Sequence, residues 1–376
     1  MELLTSADPD WDERLAAAGV DVYHTAGYHR FHAGPEAGEA LLAIAGTASR
    51  GFAWPHLLRR VSGIPGLGET RWADVDSVYG YPGPVVWGCD PKDPFVQEAW
   101  TGLQAEWRQM GVVAAFTRFH PLLGNAALGR ALRTSSPNDA QRAARPANAV
   151  VDSGATVSID CVAGDDEAVG AYARVLRQEI AAARRKGLRT EHDSAWAELT
   201  TFVRLYGQTM DRNRAADTYR MSVEDARRLQ SEVAPYIHLL ITHLEGVVVA
   251  AGLFTEYRGI VQAHLVGTDD RYRRLSPLKV LLDDARRWAR LRGNRVLHLG
   301  GGRGGREDSL FEFKARFSPR RHAFHTGRWI LIPDAYEDLL ADRSRTLGDE
   351  QRSTLDPAWF PAYRAPLIAT RPVESV

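Results

Sequence analysis

Between Tyr236 and Gly267 three apolar runs follow one another almost without interruption: Tyr236–Leu244, Val247–Tyr257 and Ile260–Gly267. Only Glu245-Gly246 and Arg258-Gly259 separate them, and two-residue connections ending in glycine close antiparallel hairpins, so the segment is a three-strand meander. A meander must bury at least one face, and the next stretch of chain supplies a cover. Ser276-Pro277 sets an N-cap before a proline at the first helical position; the helical spacing runs to about Arg292 and Gly293 closes it. Arg295–Leu299 is a further strand, followed by a glycine-rich loop, a short helix at Glu307–Phe317 and a last strand at Arg321–Pro333. Upstream, Thr156–Cys161 reads as a strand, and Asp166–Arg185, Trp196–Arg212 and Val223–Glu232 as amphipathic helices. The expected class is α/β (α+β), with mixed sheets flanked by helices.

A chain of 376 residues is long for one core and predicts two packed domains. Its first part is mixed as well. Leu41–Gly46, Phe52–Val61 and Val112–Phe119 are strand-like, and Pro94–Met110 carries Phe95, Ala99, Leu103 and Trp107 at helical spacing. The turn-rich loop Asp76–Val86 brings Tyr79 and Tyr81. Residues 133–155 hold two prolines and few large apolar side chains, which reads as a linker. The expected domains are therefore 1–150 and 151–333, with 334–376 as a tail packing back on the body.

Lys+Arg and Asp+Glu both number 47, a balance that hides unlike parts. Residues 1–150 hold 13 basic and 16 acidic side chains, 151–330 hold 29 and 23, and 331–376 hold 5 and 8. Between Arg271 and Arg295 nine basic residues face only Asp283 and Asp284. Two readings stand: a solvated helix face, or a phosphate-binding footprint in which Arg271, Arg273, Arg274 and Lys279 meet a polyanion. The acidic N-terminus is unlike a signal peptide and no apolar stretch approaches a membrane span, so a cytoplasmic protein without an integral membrane segment is expected. Cys89 and Cys161 are too few for a disulfide framework. His24, His29 and His32 are unevenly spaced, His322 and His325 fall on opposite strand faces, and no metal site is expected. Nucleophile elbow, P-loop and H-E-x-x-H motifs are absent.

The residues that could carry chemistry come after the meander. In His298–Asp308, Gly300, Gly302 and Gly305 match G-x-G-x-x-G, but the next helix is short and too little chain remains for a dinucleotide-binding sheet. The loop is either a flexible connection or a ligand cradle, in which Gly301, Gly302 and Gly304 let backbone amides approach while Arg303 and Arg306 supply fork-shaped donors. Glu307 and Asp308 suit the start of a helix, where the macrodipole favours acids, as well as they suit catalysis. Lys314 is one of only four lysines; it is an exposed helix cation or a fixed charge beside a developing oxyanion. Tyr79, Tyr81, Arg118 and His120 either line an acceptor pocket or pack locally.

Several of these motifs, in order, resemble one family. Tyr206-x-x-Thr-Met210 with Asp211, Arg212 and Tyr219, His264-Leu-Val-Gly-Thr268, Leu275-Ser-Pro277, His298-Leu-Gly-Gly-Gly302, Glu307-Asp-Ser-Leu-Phe311 and Phe313-Lys-x-x-Phe317 resemble the FemABX-like branch of the GNAT acyltransferases. Tyr79–Pro84, Arg118–Leu122 and Trp359–Arg364 extend the likeness over nearly the whole chain. The resemblance implies two tandem GNAT-like domains, whose fourth and fifth strands splay to admit donor and acceptor. It also implies transfer of an amino acid from aminoacyl-tRNA to the amine of a small amino acid, a peptide (natural-product intermediates included) or a peptidoglycan precursor. In the family the lysine of F-K-x-x-F, here Lys314, belongs to the reacting centre; His264, His298, Asp308, Ser309 and Tyr219 are further candidates. Acetyl-CoA users carry R/Q-x-x-G-x-G/A before the long helix, whereas this chain reads Arg271-Tyr-Arg-Arg-Leu-Ser-Pro277, without either glycine. Acetyl-CoA is therefore not the expected donor, and no cofactor is expected. Two alternatives stay open: an acyl-CoA-dependent N-acyltransferase and a non-catalytic tRNA-binding module.

Overall fold

Two-residue turns set the framework of the computed structural model, which describes residues 1–132, 149–215, 219–347 and 359–366. Its two compact units are Met1–Asp152 with His325–Val376, and Ser153–Phe324.

In the first unit β1 (Glu2–Thr5), β2 (Glu39–Thr47), β3 (Arg50–Arg60) and β4 (Ala73–Asp76) pair antiparallel in that order. β5 (Val85–Trp87) pairs with the start of β3. A helix over Pro94–Gln109, with Pro94 at its first turn and the Asp93 carboxylate accepting from the Phe95 amide at 2.9 Å, then carries the chain to β6 (Val112–Arg118). β6 lies parallel to β4, a pairing that requires such a crossover. The core is built on tryptophan: Trp54 meets Trp100, Trp107 and Trp329 at ring distances of 5.4, 5.2 and 5.2 Å, all four buried. Trp54→Ala should cost about 3–5 kcal/mol, read as a lower urea midpoint.

The second unit repeats the plan. After β7 (Ala149–Asp160), β8 (Arg189–His192), β9 (Ile237–Leu244), β10 (Val247–Tyr257) and β11 (Ile260–Thr268) form the antiparallel series. The Pro277–Leu291 helix crosses to β12 (Val296–Gly301), parallel to β11 and antiparallel to β7. Leu281, Leu282, Ala285 and Ala289 of that helix pack with Val157, Ile159, Phe254, Val261, Leu297 and Leu299 of the strands. β13 (Arg321–Ile330) begins in this unit, beside β7, and its Thr326–Ile330 part pairs with β6 in the first. Four antiparallel strands, a proline-opened helix and a parallel strand thus occur twice in the chain.

Several expectations change. Residues 325–333, read with the second domain, lie in the first unit, because Thr326–Ile330 finds its partners on β6. The tail also belongs there: its helix Pro333–Thr346 presents Arg343, which donates to the carbonyls of Tyr363 and Ala365, while Tyr363 Oη donates to Asp74 at 3.2 Å. Of the linker, 133–148 lie outside the described residues and 149–155 are the start of β7. Asp166–Arg185 is two helices, Asp165–Gly170 and Arg174–Arg185, parted where Tyr172 turns into the core to bond Asp283 at 2.9 Å. Ser276 does not cap with its side chain; it takes a left-handed conformation (φ 58°) where the preceding turn meets the helix. Among the described residues no helix is long and apolar enough to cross a membrane.

Candidate active site

β11 and β12 pair over three residues only, Ile260–Gln262 with Val296–His298, and both strands then continue unpaired with each other. Just beyond that last pair each strand carries a register break. On β11 it falls at His264, between the pairs Leu253–Leu265 and Phe254–Ala263; on β12 it falls at Leu299, between His298–Ser158 and Gly300–Val157. A bulge bends its strand and sharpens its twist, and two bulges at the same level open a gap between neighbours. The last pair is polar: His298 Nδ1 lies 2.6 Å from Gln262 Oε1, and His298 is buried. Leu297 and Leu299 enter the helix-covered core, so His298 between them lies on the opposite face. Across β7 the row continues with Ser158, whose hydroxyl is 2.7 Å from His322 Nε2; the His298 and His322 rings are 6.5 Å apart. Burial pulls the His264 imidazole down to about 4, which keeps it neutral.

β12 ends at Gly301, whose carbonyl accepts a 2.6 Å hydrogen bond from Lys314 Nζ. Lys314 rides on the short helix Ser309–Ala315, held against the core by Phe311 and the following Phe317. Desolvation pulls its ammonium down to about 8, with Asp308 opposing. Asp308 caps the helix, accepting from the amides of Leu310 and Phe311 at 3.1 Å, and takes the Arg303 guanidinium at 2.8 Å. Burial pushes the Asp308 carboxyl up, but those hydrogen bonds prevail and hold it at about 2.

The glycine loop differs from the cradle reading. A Cβ on Gly302 would lie 1.9 Å from the Arg306 carbonyl oxygen, one on Gly301 2.7 Å from that of Ala155, and one on Gly305 (φ +77°) 1.8 Å from that of Ser153. The amides of Arg303, Gly305 and Arg306 are bonded within the loop. These glycines let backbone cross backbone; only Gly304 (φ +61°) of the four meets open space. Arg303 is engaged by Asp308, and Arg306 is exposed with Nε 3.3 Å from the Arg303 carbonyl. Gly305→Ala should therefore destabilise by roughly 2–3 kcal/mol, whereas Gly304→Ala should cost about 1, as thermal unfolding would register.

The basic run is largely neutralised by acids from elsewhere in the chain. Arg271 chelates Asp269 at 3.0 and 2.8 Å, and Lys279 pairs with Glu179 at 2.7 Å. Arg286 is fully buried with Asp165, Asp283 and Tyr172, and Arg292 pairs with Glu256. Arg273 and Arg274 are exposed and, among the described residues, have no ion pair. At the start of the Pro277–Leu291 helix the amides of Arg271, Tyr272, Ser276 and Lys279 are bonded locally and Pro277 has none, so these five positions offer no amide to a pyrophosphate.

In the first unit Tyr81 and His120 come together at a ring distance of 5.8 Å, with Tyr23 5.7 Å from Tyr81. Tyr79 is exposed beside them in the chain, and Arg118 donates to the Ser77 carbonyl at 3.2 Å and stacks on Phe116. His120 Nδ1 accepts from the Leu122 amide at 3.2 Å, so Nε2 carries the proton and donates to Asp21 at 2.9 Å. Both partners are fully buried, and the pair fixes the loop. Ser309 is exposed on the helix start; Tyr219 is exposed, next to residues outside the described set. Gln262 and Tyr23 escaped the sequence reading, although a lone amide inside the apolar run Ile260–Gly267 was a usable signal. Among the described residues no three His, Cys, Asp or Glu side chains converge as a metal site.

Residues 170–315 match the acetyltransferase (GNAT) domain family. The crystal structure of FemX is similar over 91% of this chain and 100% of its own, with a TM-score of 0.63 at 12% identity. A conserved protein of unknown function from Bacteroides thetaiotaomicron is similar over 87% of this chain and 98% of its own, at a TM-score of 0.52 and 10% identity. L-PGS from Bacillus licheniformis covers 87% and 93%, at 0.49 and 12%. No curated protein sequence matches the chain. The chain therefore shares the fold of the FemX structure, and its second unit holds the stretch that matches a GNAT domain, in keeping with the resemblance that the motifs carry.

Proposed function

We propose that this protein is an acyltransferase that moves an aminoacyl group from aminoacyl-tRNA to the amine of a small amino acid, a peptide or a peptidoglycan precursor. The observation that carries this reading is the Lys314 ammonium, fixed on the Gly301 carbonyl at the end of β12, beside the gap that the two bulges open. An aminoacyl ester is already activated, so the transfer calls for positioning and for stabilisation of charge, and for no cofactor. The acceptor nitrogen attacks the ester carbonyl, the oxyanion develops beside Lys314, and the terminal ribose hydroxyl of the tRNA departs as the carbonyl reforms. Arg273 and Arg274, exposed on the turn before the helix, are the cations we assign to tRNA phosphates, and Arg306 to the acceptor stem end or an anionic group of the acceptor. Tyr79, Tyr81 and Arg118 form an aromatic, singly cationic patch in the first unit that suits a polar acceptor.

The locally bonded amides of Arg271, Tyr272, Ser276 and Lys279, with the missing amide of Pro277, favour this donor over CoA. One observation favours the other side: the match of residues 170–315 to an acetyltransferase domain, which keeps an acyl-CoA-dependent N-acyltransferase as the second reading. Binding separates the two. The affinity for a charged tRNA pool should fall steeply with salt, and Arg273→Glu with Arg274→Glu should lower it at least tenfold and flatten the salt slope by about two. A salt-independent affinity, or one untouched by the double substitution, removes the polyanion from the account.

A further inference from the structure

We infer that the donor RNA lies along the outer side of the Pro277–Leu291 helix, in an open groove of about 480 Å³ that takes the ribose-phosphate face of its stem. This deepens the proposed function and rests on its aminoacyl-tRNA donor. One wall of the groove is a stripe of that helix, with Asp284, Arg287, Trp288 and Leu291 at i, i+3, i+4 and i+7. Leu281, Leu282, Ala285 and Ala289, on another face, are in the core. The facing wall is the corner at which the Arg174–Arg185 helix gives way to β8, and it presents Arg184, Arg189 and Thr190. Half-buried Trp288 and Leu291, 81% exposed, give the groove an apolar floor.

The corner carries four cations in six residues, Arg184-Arg185-Lys186-Gly187-Leu188-Arg189. Among the described residues Arg185, Lys186 and Arg189 have no ion pair. Arg189 is held in place by carbonyls instead, donating to those of Arg184 and Leu188 at 2.8 Å. Arg287 comes no closer than 3.8 Å to Asp165, Asp283 or Asp284, whereas Arg184 is paired with both Asp283 and Asp284. The groove is continuous with Arg273 and Arg274. Tyr272 and Leu275 of the turn Asp270–Leu275 pack on a small core of Ala183, Leu188, Val249 and Val280. Ala183 and Leu188 adjoin Arg184 and Arg189 in the chain, and Val280 is one turn before Asp284. The cations therefore line one path, from the turn that follows β11 at the gap to Leu291, roughly 20 Å away by the rise of a helix. That helix shares its core with Phe311 and Phe317, so the path and Lys314 are on the same face of the sheet.

The mixture of groups selects the ligand. An anionic lipid surface calls for cations without acids, but here Asp284 and Thr190 set a carboxylate and a hydroxyl among the arginines. Ribose answers each of them: its 2′-hydroxyl donates to a carboxylate, the neighbouring phosphate meets a guanidinium, and the apolar sugar edge packs on Trp288 and Leu291. The wide, shallow minor groove of an RNA duplex displays those groups together, and roughly six base pairs span the path.

The test uses the full chain with a charged tRNA pool as donor, beside a donor cut down to the aminoacylated 3′-terminal trinucleotide, which is too short to reach the groove. Arg189→Ala with Arg287→Ala should raise KM for the tRNA pool at least tenfold and for the trinucleotide less than twofold, and should flatten the salt slope of tRNA binding by about two. Leu291→Asp, at a position in water, should by itself raise the tRNA KM at least fivefold, which answers the question if the arginine variant does not fold. An acceptor-stem hairpin of RNA should bind at least fivefold more tightly than the same hairpin of DNA. A tRNA KM within threefold of wild type in the double variant, an equal loss with the trinucleotide, or equal affinity for the two hairpins overturns the inference and leaves the transfer reading intact. Loss of binding to phosphatidylglycerol vesicles with an unchanged tRNA KM assigns the groove to a membrane and also overturns it. A wild type that neither binds tRNA nor uses it as donor overturns the proposed donor itself.

Discussion

Lys314→Ala is expected to slow amide formation by roughly 10²–10³-fold, the loss seen when one preorganised donor to a tetrahedral oxyanion is removed. The side chain is set by three separate features: the cap at Asp308, the anchoring of Phe311 and Phe317 in the core, and the Gly301 carbonyl that receives Nζ at 2.6 Å. The first two do not involve the ammonium, so the variant should fold, bind tRNA and fail at the chemical step. Because burial brings the ammonium down to about 8, its charge is complete below that value and is lost above it. The wild-type rate should therefore fall as pH rises through about 8. Lys314→Arg, whose guanidinium stays charged, should show no such descent even if its rate is lower. A tRNA-binding module without catalysis would have no turnover to lose, and equal product formation by wild type and Lys314→Ala would assign the lysine a structural role.

Acid should unfold this protein well above the range in which carboxylates titrate. His24, His29 and His56 are buried and His264 is half-buried, and desolvation lowers them to about 4, 3, 4 and 4. Their folded values lie below the value near 6.5 of an exposed imidazole, so as pH falls the unfolded chain binds protons that the folded chain refuses. Stability contributed by these groups is present above about 6.5 and is lost progressively down to about 4, where the folded chain also protonates. Each shift corresponds to roughly 3–5 kcal/mol at full value, and even a quarter of that from four residues would remove about 4 kcal/mol, a large part of a typical domain's total. Urea midpoints measured from pH 7 to pH 4 should fall continuously, and His56→Phe, if tolerated beside Trp107, should make the slope shallower. A midpoint that stays level from pH 7 to pH 5 would mean these imidazoles are hydrated in the native protein.

The parts of the fold that were legible are those written locally. The meander, the proline-opened helix and the strand after it come from turns of two residues and from periodicity, and each appears within a few residues of its expected bounds. β13 was placed as an element but not in its setting, because the pairing of Thr326–Ile330 with β6 joins residues some two hundred positions apart. The basic stretch misled for a similar reason. Counted along the chain it meets two aspartates, but Asp165, Glu179, Glu256 and Asp269 reach it from outside the window and, among the described residues, leave Arg273, Arg274 and Arg295 without an ion pair. The glycine loop had two readings that composition could not separate, since a glycine needed for a ligand and one needed for a crossing backbone look alike in sequence. Lys314 stood out through scarcity, whereas Gln262 became visible only when its register partner was known to be His298.

The central claim is that the chain joins an aminoacyl group to an amine at the gap between β11 and β12. The most direct test incubates the wild-type protein with a total charged tRNA pool and a mixture of amine acceptors and searches for new amides by mass spectrometry, beside parallel reactions with RNase or with acetyl- and long-chain acyl-CoA as donors. The account predicts at least one new aminoacyl amide, abolished by RNase and by Lys314→Ala. Amide formation that survives RNase and requires a CoA ester would contradict it.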